Sequence, residues 1–172
     1  ADPALVFRAP KSGIYYVRLI DSQNKGGEDF GYRLRIDDVK PEFDLRISPS
    51  NLAIPRGGTA NLSVSIIRKN KFNGEVELFT KGLPSDFKLS KCRMARGEQQ
   101  LRMTITAPEN IQEGPIDFQI WGQATTENGD EIVKQAYPAE EMLQAFYIKH
   151  LIPTSDFRVN ITPELPYSIE IL

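Results

Sequence analysis

Hydrophobic and polar residues alternate most regularly between Gly57 and Ser90. Ala60, Leu62, Val64 and Ile66 alternate with Thr59, Asn61, Ser63 and Ser65, the period of two that turns one face of a strand into a core and the other toward water. Past a basic tip containing Arg68, Lys69 and Lys71, Val76 and Leu78 alternate with Glu75 and Glu77. Two such runs joined by a short polar loop predict antiparallel neighbours. Gly82, Leu83 and Pro84 then stop the sheet, and Phe87 and Leu89 open another short strand.

The same period recurs along the chain. Phe43, Leu45 and Ile47 form one run, followed by Pro49 to Gly58 as a broken edge strand, where proline is tolerated because it has no N–H to give a ladder. Leu101, Met103 and Ile105 form the next, then Ile116, Phe118 and Ile120, with Trp121 pointing to the opposite side. Asn128, Gly129 and Asp130 make a tight-turn signal that returns the chain into Glu131 to Tyr137. Short strands with turns about every ten residues predict an immunoglobulin-like β-sandwich over 41–137. Over 138–152 the pattern is mixed: Pro138, Glu140 and Glu141 predict a helical turn at 139–143, and Phe146, Tyr147 and Ile148 predict extended chain. Phe157, Val159 and Ile161 alternate once more, which makes 138–172 a connecting segment ending in the first strand of a further domain.

Residues 1–40 are a separate stretch. Leu5 to Arg8, Ile14 to Ile20 and Tyr32 to Ile36 predict three strands, with a polar, glycine-containing loop from Asp21 to Asp29. The string Phe7, Arg8, Ala9, Pro10, Gly13, Tyr15, Val17, Arg18, Leu19 and Asp21, followed by Gly26, Gly27, Asp29, Phe30, Tyr32, Arg33, Leu34 and Ile36, resembles the last strands of the bacterial pre-peptidase C-terminal domain. The resemblance covers about residues 4–37, half of such a domain. It implies a partial jelly-roll-like β unit of a secreted bacterial protein. Phe43, Leu45, Ile47 and Pro49, with Phe72, Gly74, Val76, Leu78, Gly82, Leu83 and Pro84, are similar to the immunoglobulin-like modules that follow it in large secreted bacterial proteins.

Composition narrows the function classes. The 172 residues are 40% hydrophobic and 26% charged with a net charge of −2, which suits a globular chain and gives nucleic acid or an anionic membrane no long-range attraction. No apolar run approaches the roughly 20 residues of a membrane span. Ala1, Asp2 and Pro3 lack the features of a signal peptide, so a signal for export is expected outside this stretch.

Reactive side chains are few. Cys92 is the only cysteine and His150 the only histidine. Lys91 and Arg93 would lower the thiol pKa of an exposed Cys92, but a small residue near a strand is the simpler reading. His150 lacks a second histidine at zinc-ligand spacing. Glu75 with Glu77, and Glu140 with Glu141, are paired carboxylates, yet a catalytic pair needs a cleft and a raised pKa. Asp21, Asn24, Glu28 and Asp29 offer oxygen donors for calcium, the one cofactor this sequence suggests, without the spacing of a dedicated calcium loop. Trp121 on the outer face of a sheet, and the basic Arg68 and Lys71, are the candidate ligand-binding residues.

The sequence therefore reads as all-β and non-catalytic: an extracytoplasmic accessory or spacer module of a larger exported bacterial protein. Its expected partners are neighbouring domains of the same polypeptide, with a polysaccharide or a cell-surface protein as docking partner. Two other readings stand beside it, a carbohydrate-binding module using Trp121 and a fragment of a secreted hydrolase.

Overall fold

The structure, a computed structural model, describes residues 5–145 and 148–164. Phe146 and Tyr147, expected to be extended, lie outside the described residues. The chain divides into two compact units, Ala1–Lys40 and Pro41–Leu172.

Residues 5–40 carry no hydrogen-bonded strand, and every described residue there is exposed. The three strands expected at 5–8, 14–20 and 32–36 thus form no ladder. Local contacts hold the unit: the Phe7 and Tyr15 rings meet edge to face at 5.2 Å, and the Tyr15 hydroxyl donates to the Lys11 carbonyl at 2.6 Å. Fewer than about 40 residues rarely bury enough surface to fix a sheet unaided, so Tyr16, Ile14 and Ile36 remain open to solvent.

The second unit is an all-β, immunoglobulin-like sandwich. Its strands are β1 (Glu42–Ser48), β2 (Asn51–Pro55), β3 (Thr59–Lys69), β4 (Val76–Lys81), β5 (Lys88–Leu89), β6 (Arg93–Met94), β7 (Gln100–Thr106), β8 (Gly114–Ile116), β9 (Gln119–Thr125), β10 (Glu131–Gln144), β11 (Ile148–Pro153) and β12 (Arg158–Thr162). The main sheet runs β5-β7-β3-β1-β10-β9-β4-β6, with β11 paired to β10. Its neighbouring strands are antiparallel except β1 and β10, which meet in parallel through Leu45, Arg46 and Ile47 against Ala136, Tyr137 and Pro138.

The sheet curls at that parallel seam so that its halves share one core. Phe43, Leu45, Leu62, Val64, Leu101 and Ile105 from one half cluster with Val76, Leu78, Met94, Ile120 and Ala124 from the other. Alternation produces this directly, since β1, β3 and β7 each send every second residue inward. Each buried Leu, Ile or Phe contributes about 1.5–3 kcal/mol by leaving water.

Four expectations change. First, β3 and β4 are not neighbours: β3 pairs with β1 and β7, β4 with β9 and β6. The basic loop carries the chain from one half of the sandwich to the other, and Phe72, 4% exposed, fills the passage against the Phe43 ring at 5.1 Å. Second, Ile116 to Ile120 is not one strand. β8 belongs to a second sheet of order β2-β12-β8, and the chain crosses between sheets at 117–118. Third, 139–143 is strand, not helical turn: β10 continues through Pro138 and forms an antiparallel pair with β11. The cross-strand ladder outweighs the helix-start signal of Pro138, Glu140 and Glu141. Fourth, the Phe157–Ile161 run contributes the middle strand of the second sheet, β12, parallel to β2 and antiparallel to β8. Val159 and Ile161, each 1% exposed, sit in the same core as Phe43 and Leu45.

Candidate functional site

On β4, β9 and β10 the residues that face away from the core gather the aromatic side chains. Inward alternation of Leu78, Ile120, Gly122 and Ala136 leaves Phe79, Trp121, Gln135 and Tyr137 on the outer face. Phe79 lies directly across from Trp121, and Trp121 across from Gln135. The Lys81 ammonium stands 3.8 Å from the centre of the Trp121 ring and 5.8 Å from that of Phe79, within the range of cation–π attraction. The indole N–H donates to Gln119 Oε1 at 3.0 Å. Trp121 is thereby fixed between a cation above its ring and an amide at its edge, half-buried. Tyr137 is 54% exposed and lies 6.0 Å from the Arg46 guanidinium.

The other candidates are placed differently. Arg68 clamps three backbone segments together. Its guanidinium donates to the carbonyls of Gly74 at 2.7 Å, Ala95 at 3.1 Å and Glu98 at 3.2 Å. Burial lowers its pKa, against the opposing pull of Glu98. Lys69 pairs with Asp44 at 2.6 Å. Lys71 is exposed at a left-handed position, φ 64°. The basic tip therefore does not assemble into one patch.

Asp21 closes its own turn, accepting from the backbone N–H of Gln23 at 2.8 Å and of Lys25 at 3.2 Å, and Asn24 sits at φ 54° with its N–H bonded to the Asp21 carbonyl. Neither Asp21, Glu28 and Asp29 nor any other group of three His, Cys, Asp or Glu side chains comes together to hold a metal among the described residues.

The groups considered for catalysis are scattered. Cys92 is exposed between β5 and β6, and His150 is on β11; these strands are not neighbours in either sheet. Desolvation raises the Cys92 thiol pKa, the reverse of the activation that Lys91 and Arg93 would bring. Glu75 is paired with Arg93, and Glu77 faces solvent. Glu140 accepts from the side chain and the N–H of Ser50, and these bonds, the side-chain one first, hold its pKa below the ordinary value.

The cluster that sequence reasoning missed is Lys81, Phe79 and Gln119 around Trp121. Its signal was present: with the β4–β9 register known, the outward positions of β4 face those of β9. Only that register brings Phe79 and Lys81 to Trp121.

No protein-family model matches the chain, and no curated protein matches it. Among solved structures, it is similar to domains 4 and 5 of the S-layer protein SbsC, at 16% identity and a TM-score of 0.34 over 58% of this chain and 53% of that one. It is similar to a chaperone–tip adhesin complex of CFA/I fimbriae biogenesis, at 12% identity and a TM-score of 0.37 over 59% of each chain. A third is the D00-D0 domain of intimin, at 15% identity and a TM-score of 0.32 over 59% of this chain and 47% of that one. The chain spans between about half and three fifths of the length of these structures. The immunoglobulin-like assignment rests on the strand order itself.

Proposed function

We propose that this chain is a non-catalytic accessory module of a larger exported bacterial protein, holding neighbouring domains apart and docking through the outer face of β4, β9 and β10. The observation that carries the reading is the Phe79–Trp121 pair, two aromatic side chains directly opposite each other on the outward side of a sheet, with Tyr137 on the adjoining strand. Aromatic side chains on an outer face concentrate contact area at low entropic cost, as docking surfaces do. The dispersal of Cys92, His150 and the carboxylates supports a role without chemistry. The resemblance of residues 4–37 to the pre-peptidase family supports an extracytoplasmic setting.

Co-sedimentation of the full chain with bacterial cell-envelope fragments tests this. Retention that falls at least about tenfold in affinity for Trp121→Ala is the expected result, with the fold checked by circular dichroism. Equal retention of the variant, or no retention of either protein, would overturn docking through this face.

A further inference from the structure

β9 and β10 stay hydrogen-bonded only from Thr125 opposite Glu131 to Trp121 opposite Gln135. Beyond Gln135, β10 turns to pair with β1, while β9 continues along β4 to Gln119. The strands part there, and the gap opens a groove of about 630 Å³, inside the range of about 300–1,000 Å³ typical of small-molecule sites. The floor is apolar, formed by buried Phe118 and Ile120. Gln119, Gln135 and Tyr137 stand at its rim. The charged residues that line it are Lys81 and Arg158 against Asp117 and Asp156, two of each sign, so the groove has no net formal charge.

Three features select the ligand. An apolar floor with a phenol ring at the rim favours a molecule with C–H faces. Amide side chains, which both donate and accept, suit neighbouring hydroxyl groups. Cancelled charge, with carboxylates on the rim, disfavours phosphate, sulfate and uronate. An extended peptide adding to the β10 edge fits less well, because Pro138 has no N–H and its carbonyl already accepts from Thr154 N–H at 2.9 Å.

We propose that this groove binds a neutral oligosaccharide, with Gln119 and Gln135 bonding its hydroxyls and Tyr137 packing on a ring. The inference rests on the docking reading above and names its ligand class.

Amide NMR titration of the full chain with cellotetraose, chitotetraose, mannotetraose and galactotetraose tests it, alongside tetragalacturonate and an extended hexapeptide. At least one neutral sugar is expected to give saturable shifts at Gln119, Gln135 and Tyr137 that are unchanged on raising salt. Gln135→Ala and Tyr137→Ala are each expected to weaken that binding about tenfold while leaving the rest of the spectrum in place. No shifts with any neutral sugar, or shifts only with the uronate or the peptide, would overturn the proposal. Envelope retention that depends on Trp121 without sugar-induced shifts would remove the ligand class and leave docking standing. Sugar-induced shifts without envelope retention would do the reverse.

Discussion

The Lys81 ammonium lies 3.8 Å from the centre of the Trp121 ring, across the β4–β9 ladder from which both side chains point outward. An exposed cation–π contact contributes about 0.5–1 kcal/mol, so Lys81→Ala is expected to lower stability by no more than that. Trp121 is the only tryptophan, which makes its fluorescence a direct reporter. The emission should change in Lys81→Ala with the circular dichroism unaltered. Unchanged emission would show that the lysine does not cover the indole in solution.

Gly122 sits where the two halves of the sheet press together. A Cβ built there would come within 2.5 Å of Leu45 Cδ1 and 2.9 Å of Val76 Cγ1, closer than packed atoms approach. Gly122→Ala is therefore expected to destabilise the fold by about 1–3 kcal/mol, read by urea denaturation. Pairing it with Leu45→Ala, which makes room, should cost less than the sum of the single changes.

Arg68 closes the end of the sandwich by donating to the carbonyls of Gly74, Ala95 and Glu98. Arg68→Ala is expected to cost about 1–3 kcal/mol. Lysine should restore only part of this, since an ammonium cannot reproduce the planar fork. Full rescue by Arg68→Lys in denaturant titrations would mean that charge alone matters there.

Glu140 ties β10 to Ser50, and the two bonds from that residue lower its pKa. With the folded-state pKa below the unfolded-chain value of about 4.3, the stabilisation is complete above that value and fades as pH falls through the lower one. Ser50→Ala removes both the hydroxyl bond and its part of this dependence. The stability difference between wild type and Ser50→Ala should therefore be larger at neutral pH than in strong acid. An equal difference at both would place the loss in packing of the buried Ser50 rather than in the carboxylate.

β12 bears on the extent of the folded unit. Ile161→Ala is expected to cost about 2–5 kcal/mol in a single cooperative transition, because Ile161 is 1% exposed within the core that contains Phe43 and Leu45. A loss under about 1 kcal/mol, or a separate second transition, would show that residues 158–162 fold apart from the sandwich.

Period-two alternation was legible wherever a strand has one wet and one dry face, as at β1, β3 and β7, and it placed Trp121 on the outer side. Which strands pair was not legible. The Arg68–Lys71 loop looks like a hairpin tip, yet Phe72 plugs it into the core and sends β4 to the other half of the sheet. The burial of Val159 depends on β2 and β8, more than forty residues earlier in the chain, a relationship that no local window contains. The helical turn expected at 139–143 failed for the same reason, since β11 supplies a partner that propensity does not register. The three stretches expected as strands before Lys40 show the converse, a strand pattern that finds no ladder within its own unit. Among the candidate site residues, Trp121 was visible as an outward aromatic with Gln119 two residues before it on the same face, whereas Lys81 and Phe79 became its neighbours only through the β4–β9 register.

The central claim, docking through the outer face of β4, β9 and β10, is tested most directly by hydroxyl-radical footprinting of the full chain, free and bound to envelope fragments. Labelling of Phe79, Trp121 and Tyr137 is predicted to fall on binding while that of Tyr16 and Tyr32 stays the same. Unchanged labelling at those three aromatics, with protection elsewhere on the chain, would contradict it.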